Sequence, residues 1–464
     1  MAEEKKINNN NLQVQDIVQA DEELLEDISK LIEYEDKNSL LTIIADLHPA
    51  DLAEITNHLN LDDAKYLFAL LPTDIASEVI VELDEILREK ILSETEIEKI
   101  TEIVDELEVD DAADIVQDLP DHVATEVLEN IDEEDSEDVK QILSYPEDSA
   151  GGLMNTDFLA VNHNATVQDA INEIRANSEL IEQIYLLYII DDDEKLIGTV
   201  QLKNLIIADP SSRIKTILDE DLIAVNVLDD QEEVAQIMEK YDLVSIAVLD
   251  EQKRLVGRIT IDDIVDVIHE EAQEDIERLA GVSTEEASFS SFKISRGRIP
   301  WLFLAFLGQM ISAVVLSKFQ ASIEQIITAT FFIPIVMAMG GNSGTQAAIV
   351  VVRGLAMGSI RTSNLKTRLA KEFGVALLNG FVFSVLIFLV TYYAWSENPR
   401  FSLTLSLSLL VVMINATLIG ALIPLLLEKL NIDPALATGP FVTTLNDIIG
   451  LLIYFGFLTV IYLN

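Results

Sequence analysis

The sequence predicts a multidomain membrane protein: an all-α solenoid N domain, a duplicated α/β module, and a polytopic α-helical membrane domain. Three observations predict it. Acidic and apolar character are segregated along the chain, apolar residues recur every 12 positions through its first third, and one strand-helix pattern occurs twice in its middle. The 464 residues include 81 acidic against 30 basic, yet 49% are hydrophobic and the mean hydropathy is +0.28. A disordered acidic tail does not combine these properties. Residues 299–464 hold 6 of the acidic and 8 of the basic residues, which leaves 75 against 22 in the first 298. An acidic soluble part therefore precedes a nearly neutral apolar one.

Residues 1–23 are polar and expected to be mobile, and the opening MAEEKKINNNN has no apolar core, so no cleavable signal peptide is expected. Residues 24–148 form the acidic helical-repeat domain. Its beat falls on Leu47, Leu59, Leu71, Leu83, Leu107, Leu119 and Ile131, with one miss at Thr95. Segments such as LHPADLAEI and LPDHVATEV read as helix starts, with Pro or Asp in the first turn, and short helices stacked in this way make a solenoid. Residues 149–210 and 211–268 are the two copies of the α/β module. Asp157–Asn162 (DFLAVN) matches Asp221–Asn226 (DLIAVN), and Leu196–Gly198 matches Leu255–Gly257. Each copy reads strand, helix, strand, acidic turn, strand, helix. Residues 262–292 are a linker helix with Ile268, Ala272, Ile276 and Leu279 on one side.

The membrane domain, 293–464, contains five apolar stretches long enough to span a bilayer, at about 299–316, 326–352, 373–395, 403–427 and 435–462. Lys293, Arg296 and Arg298 precede the first, and Arg353, Arg361, Lys366, Arg368 and Lys371 link the second to the third. The positive-inside rule puts these in the cytoplasm, together with the N-terminus, and the C-terminus outside. The expected location is the plasma or inner membrane. No dense basic patch is present, which argues against a nucleic-acid partner. The absence of cysteine excludes disulfides and thiolate metal sites. No phosphate loop or nucleophile arrangement suggests an enzyme.

Two segments carry candidate chemistry. The second span contains GGNSGTQ at 340–346, where close helix packing explains the small residues but not the amides of Asn342 and Gln346 on one side. In the fifth, Asp433-Pro434 reads as a cap and first turn, and Gly439, Thr443, Asp447, Gly450 and Tyr454 follow along one side. Asp447 then sits roughly 21 Å along the helix, near mid-membrane. No span holds a basic residue to pair with it, so a cation is its natural partner, a structural Asp being the alternative. Hard cations prefer oxygen ligands, and all five histidines precede the membrane domain, which favours magnesium over zinc or copper. In the soluble half Asp110 and Asp114 stand at i and i+4, and Asp263, Asp266, Glu270, Glu271, Glu274 and Asp275 crowd the linker helix. A net charge this large resists compaction unless counterions bind, and a halophile-like surface is the alternative.

The middle of the chain resembles a tandem CBS-domain pair. GGNSGTQ, NATLIGALIP and DPALATGPFVTTLND, in this order after an acidic helical domain, a CBS pair and a linker helix, make the chain from about Leu31 onward resemble the MgtE family of magnesium channels. The resemblance implies a homodimer in a lipid bilayer, with a pore along its two-fold axis lined by the second and fifth spans and gated by a plug of linker helices. It implies that Asp447 holds magnesium through its water shell, helped by carbonyls near Gly439 and Thr443. It also implies cytosolic magnesium sites among Asp110, Asp114, Asp230, Glu232, Asp242, Asp263, Asp266, Glu271, Glu274 and Asp275, with Asp433 meeting the linker from the membrane side. CBS pairs that bind ATP or another adenine nucleotide use a Thr and an Asp three residues later. Thr260 and Asp263 match this pattern, whereas the first copy has Gln201 and Asn204. The alternative function is a membrane-anchored cation or nucleotide sensor without transport.

Overall fold

The computed structural model describes residues 22–34, 36–177, 184–280, 291–356, 360, 365–395, 397–430, 432, 434 and 440–463. The chain divides into two compact units, Met1–Val267 and Ile268–Asn464.

The first unit opens with ten short helices: α1 (Glu22–Glu33), α2 (Lys37–Asp46), α3 (Pro49–His58), α4 (Leu61–Ala69), α5 (Thr73–Val81), α6 (Glu85–Leu92), α7 (Ile97–Asp105), α8 (Val109–Gln117), α9 (Asp121–Leu128) and α10 (Glu133–Ile142). From α2 onward every helix starts 12 residues after the one before. The apolar residue of each beat sits two positions ahead of a helix start, where it is pinned beneath the turn. The missed beat at Thr95 leaves the period intact, because its hydroxyl bonds back to the Ile91 carbonyl at 2.8 Å and closes the same turn. Helices pack on the next but one, α3 on α5, α5 on α7, α7 on α9, α4 on α6 and α8 on α10, so the solenoid has two rows.

The duplicated module follows. The first copy is β1 (Ala160–Asn162), α11 (Val167–Ala176), β2 (Leu186–Ile190), β3 (Leu196–Gln201) and α12 (Leu202–Ile207). The second is β4 (Ala224–Asn226), α13 (Gln231–Tyr241), β5 (Ser245–Leu249), β6 (Leu255–Thr260) and α14 (Ile261–Ala280). Both sheets run parallel then antiparallel, and both carry an irregularity at the same place, Ile189/Ile190 and Val248/Leu249. Tyr188, Leu196, Ala247 and Leu255 form a buried cluster joining the copies, and the Tyr188 and Ser245 hydroxyls lie 3.0 Å apart. The helical repeats share one continuous core with the second copy, running from Val79, Ile103 and Val116 to Val234, Met238 and Ile264. Each such fully buried side chain contributes about 1.5–3 kcal/mol.

The second unit holds α15 (Ser291–Ser317), the short α16 (Gln320–Gln325) and α17 (Ile327–Thr330), α18 (Ile333–Ala356), α19 (Leu365–Tyr393), α20 (Pro399–Lys429) and α21 (Pro440–Phe457), which continues as a wider turn over Leu458–Leu463. Five stretches are long and apolar enough to cross a bilayer: 294–317, 327–355, 366–393, 399–429 and 441–463. They overlap the five expected from sequence. α20 is central, packed by α18, α19 and α21, and its buried Thr404 and Ser408 hydroxyls bond back to their own helix. Leu302, Phe303, Phe306, Leu378 and Phe381 point outward, as lipid-facing residues must.

Candidate ion pathway and cytosolic carboxylate cluster

Two glycines bring the spans close enough to build a polar site between them. A Cβ on Gly420 would strike the Gly344 carbonyl, and a Cβ on Gly344 would strike the Asn446 amide, so α18, α20 and α21 meet at backbone distance. Asn446 is buried there, and its amide atoms have no hydrogen-bond partner among the described residues. One residue on, Asp447 is half-buried, and its Oδ2 accepts a 2.6 Å hydrogen bond from Nε2 of Gln309 in α15. Asn342, Gln346 and Thr443 are exposed on α18 and α21, which pack together with Thr443 Cγ2 beside Gly341. The polar stripe ends at Asp447. Gly450 is buried against Met337, and the Tyr454 hydroxyl donates to the Ala329 carbonyl at 2.7 Å, anchoring the far end of the helix.

In the first unit, carboxylates gather where α8 meets the start of α14. Asn155 donates from Nδ2 to Glu108 at 2.5 Å and to Asp110 at 3.1 Å. Burial, then the charge of Asp263, pushes the Asp110 carboxyl well above its usual range. Asp111 rises to about 7 by burial and the charges of Asp263 and Asp114. Asp263 rises to about 6, burial prevailing over two hydrogen bonds from Thr260, one from its backbone N at 3.1 Å and one from its hydroxyl at 2.8 Å. Partly buried carboxylates raising one another are poised to exchange protons for a cation with oxygen ligands.

Family models match three successive parts of this chain. The MgtE intracellular N domain matches residues 47–148, the CBS domain 150–211 and 214–270, and the divalent cation transporter domain MgtE 333–457. The chain is 34% identical over 421 residues to the magnesium transporter MgtE of Bacillus subtilis, spanning 90% of this chain and 93% of that one. The chain belongs to the MgtE family. It is also 37% identical over 324 residues to the magnesium transporter MgtE of Enterococcus faecalis, spanning 70% of this chain and 71% of that one. The cytosolic domain of the Mg2+ channel MgtE, crystallised in complex with ATP, aligns over 52% of this chain and 99% of its own with 31% identity and a TM-score of 0.49. MgtE is a family of divalent cation transporters, not of enzymes.

The structure of this MgtE relative brings some of the expected residues together and separates others. Asp110 and Asp263 meet, whereas Asp114 is exposed and acts on Asp111. Asp230 caps α13, its Oδ1 accepting from Glu232 N at 2.9 Å, and Asp242 closes the other end in the left-handed conformation. About 18 Å of helix separates them, too far for one ion within the chain. Asp266 is exposed, and Glu271 and Glu274 are partly buried along α14. Thr260 is buried and engaged by Asp263. Gly439 and Asp433 lie outside the described residues, as do the expected helix start at Asp433 and the Asp275 side chain.

Sequence reasoning missed four things. Asp111 escaped because i, i+4 logic selects Asp110 and Asp114. Asn155 sits in a connecting loop. Gln309 was visible as one amide inside an apolar span, the signal that could have found it. Asp105, Asp132 and Asp135, whose ligand oxygens lie within 4.8 Å of one another, come from the end of α7 and the start of α10, so only the stacking of repeats assembles them.

Proposed function

We propose that the protein is a multi-pass magnesium channel of the cell membrane, gated shut by cytosolic magnesium. The observation that carries this reading is the half-buried Asp447 carboxylate in the fifth span, flanked by the exposed polar side chains of Thr443, Asn342 and Gln346. A carboxylate inside a bilayer costs about 2.5–3.5 kcal/mol on insertion scales, which a passing cation offsets. In this reading Asp447, Thr443, Asn342 and the carbonyl of Gly439 line the path, and the hydrated ion is magnesium, like the named cargo of the Bacillus and Enterococcus relatives. Exposed polar residues on a span have no place against lipid, so a second copy of the chain completes the path as a homodimer. The N-terminus is cytoplasmic and the C-terminus outside, because the basic residues between the second and third spans belong inside.

The gate is read from the carboxylates. Asp110, Asp263 and Asp266, with Asp114, Asp230, Glu232, Asp242, Glu271, Glu274, Asp275 and Asp433, supply the cytosolic magnesium sites. The raised carboxyls of Asp110, Asp111 and Asp263 fit a hard cation. A single adenine nucleotide such as ATP is assigned to Thr260 and Asp263, where it competes with cation for Asp263. Equilibrium dialysis of ATP with and without magnesium tests that assignment. Transport is tested by magnesium flux into proteoliposomes of the purified protein. Flux that follows the magnesium gradient and shuts down when the ion is raised on the cytosolic side supports the reading, and absence of flux favours a sensor without transport.

A further inference from the structure

Gly308 and Gln309 are neighbours in the first span, and both face the fifth. A Cβ on Gly308 would collide with the Thr444 side chain, so glycine is what lets α15 lie against α21 at this level. At that close approach Gln309 Nε2 donates to Asp447 Oδ2 at 2.6 Å. Hydrogen bonds to an ionised acceptor are short and strong, and the apolar stretches 299–316 and 435–462 that bring Gln309 and Asp447 together hold no basic residue.

We propose that Gln309 is a positioning and specificity-determining residue of the ion path: its hydrogen bond weakens one oxygen of Asp447 as a ligand, so the carboxylate meets a cation mainly with the other. The inference rests on the reading of Asp447 as the pore carboxylate. Calcium takes six to eight oxygen ligands and often clamps a carboxylate through both oxygens, whereas magnesium keeps several waters and needs few direct ligands. A carboxylate with one oxygen engaged holds a water of a hydrated ion well, and clamps a dehydrated calcium poorly. Gln309 therefore disfavours the larger ion by weakening the second oxygen of a bidentate clamp. It also fixes the rotamer of Asp447 from the adjacent helix.

The test compares magnesium and calcium influx in proteoliposomes of the full-length protein. Gln309→Leu and Gln309→Met both remove the donor, and Met keeps the length of the side chain. The calcium-to-magnesium flux ratio is expected to rise about fivefold or more in both. A merely structural role would lower the two fluxes together and leave their ratio alone, and that result overturns the inference. If either variant carries too little flux to measure, calcium competition against magnesium is read on the detergent-solubilised protein as the binding that Asp447→Ala removes. An unchanged competition ratio there also overturns it. Unchanged flux in Asp447→Ala overturns the pore reading instead, so the two failures are distinguishable.

Discussion

The carboxyl of Asp110 lies close enough to Asp263 that, after burial, the second residue's charge is the largest influence raising the first above its usual range. The two residues come from different domains, α8 of the solenoid and the first turn of α14, and the shared apolar core around Val116 and Ile264 holds them there. Packing drives the domains together while charge pushes them apart. A divalent cation, or protons, can tip the balance.

The direction of the pH dependence follows from the raised carboxyls. Asp110 stands well above its ordinary range, Asp111 at about 7 and Asp263 at about 6. Their contribution to the packed state is fully present below the ordinary carboxylate range near 4, and it is lost as pH rises through 6 to 7. Without magnesium, protease cleavage of the full-length protein between Tyr145 and Gly152 should therefore be slow at pH 5 and fast at pH 8. Millimolar magnesium should abolish the difference. Equal rates at both pH values would count against the cluster.

Neutralising the pair should mimic the ion. Asp110→Asn with Asp263→Asn removes the repulsion while keeping shape, so the magnesium-free protein should resist cleavage at pH 8 as the wild type does at pH 5. Added magnesium should then change the rate by less than about twofold, each lost like-charge contact being worth on the order of 1 kcal/mol. A double variant that still opens without magnesium would place the switch elsewhere.

How much of this was legible follows from what each pattern depends on. The 12-residue beat shows because one apolar residue must be pinned under every turn, and even Thr95 keeps the period with a hydroxyl in place of a leucine. The duplicated module shows because DFLAVN and DLIAVN build the same parallel strand twice. The inward turn of Asp111 does not show, because which side of α8 is buried depends on the partner surface around Ile264 and not on α8 itself. The bond from Gln309 to Asp447 is equally silent, since it needs the Gly308 contact that sets the crossing of α15 and α21. Tyr454 belongs to the expected polar side by spacing, yet it is buried because α17 covers that end.

At Asp447 the expectation is loss of transport. Asp447→Ala should lower magnesium flux in proteoliposomes about tenfold or more, with the protein still eluting as the wild type does, because the carboxylate of the proposed path is gone. Asp447→Asn keeps shape without charge and should fail similarly.

The crossing of α18 and α20 makes a stability prediction with an internal control. Gly420→Ala drives a methyl into the Gly344 carbonyl, a backbone atom that cannot rotate away, and should cost about 1–3 kcal/mol. Gly374→Ala meets nothing within 4 Å and should be neutral or slightly stabilising. Thermal unfolding midpoints in detergent separate them, and equal midpoints would show that the helices do not cross at backbone contact.

The linker carries the last prediction, because α14 is the covalent path from the sensor to the spans. It carries Asp263 of the carboxylate cluster in its first turn and continues through Glu271, Glu274 and Asp275, with Ile268 and Ile276 exposed beside them. If magnesium favours the closed channel, it does so only by its differential affinity for closed over open. Moving a gate from mostly open to mostly shut takes about 5.5 kcal/mol, which several weak carboxylate sites share. Changing Glu271, Glu274 and Asp275 to amides removes part of that preference without touching Asp447. Two effects should follow: the magnesium-free channel relaxes toward closed as repulsion along the helix falls, and the decline of open probability with cytosolic magnesium flattens. The flattening is the deciding measurement, made on single channels in planar bilayers. A triple variant whose open probability falls as steeply as the wild type's would mean that the ion acts on the gate by a route other than this helix.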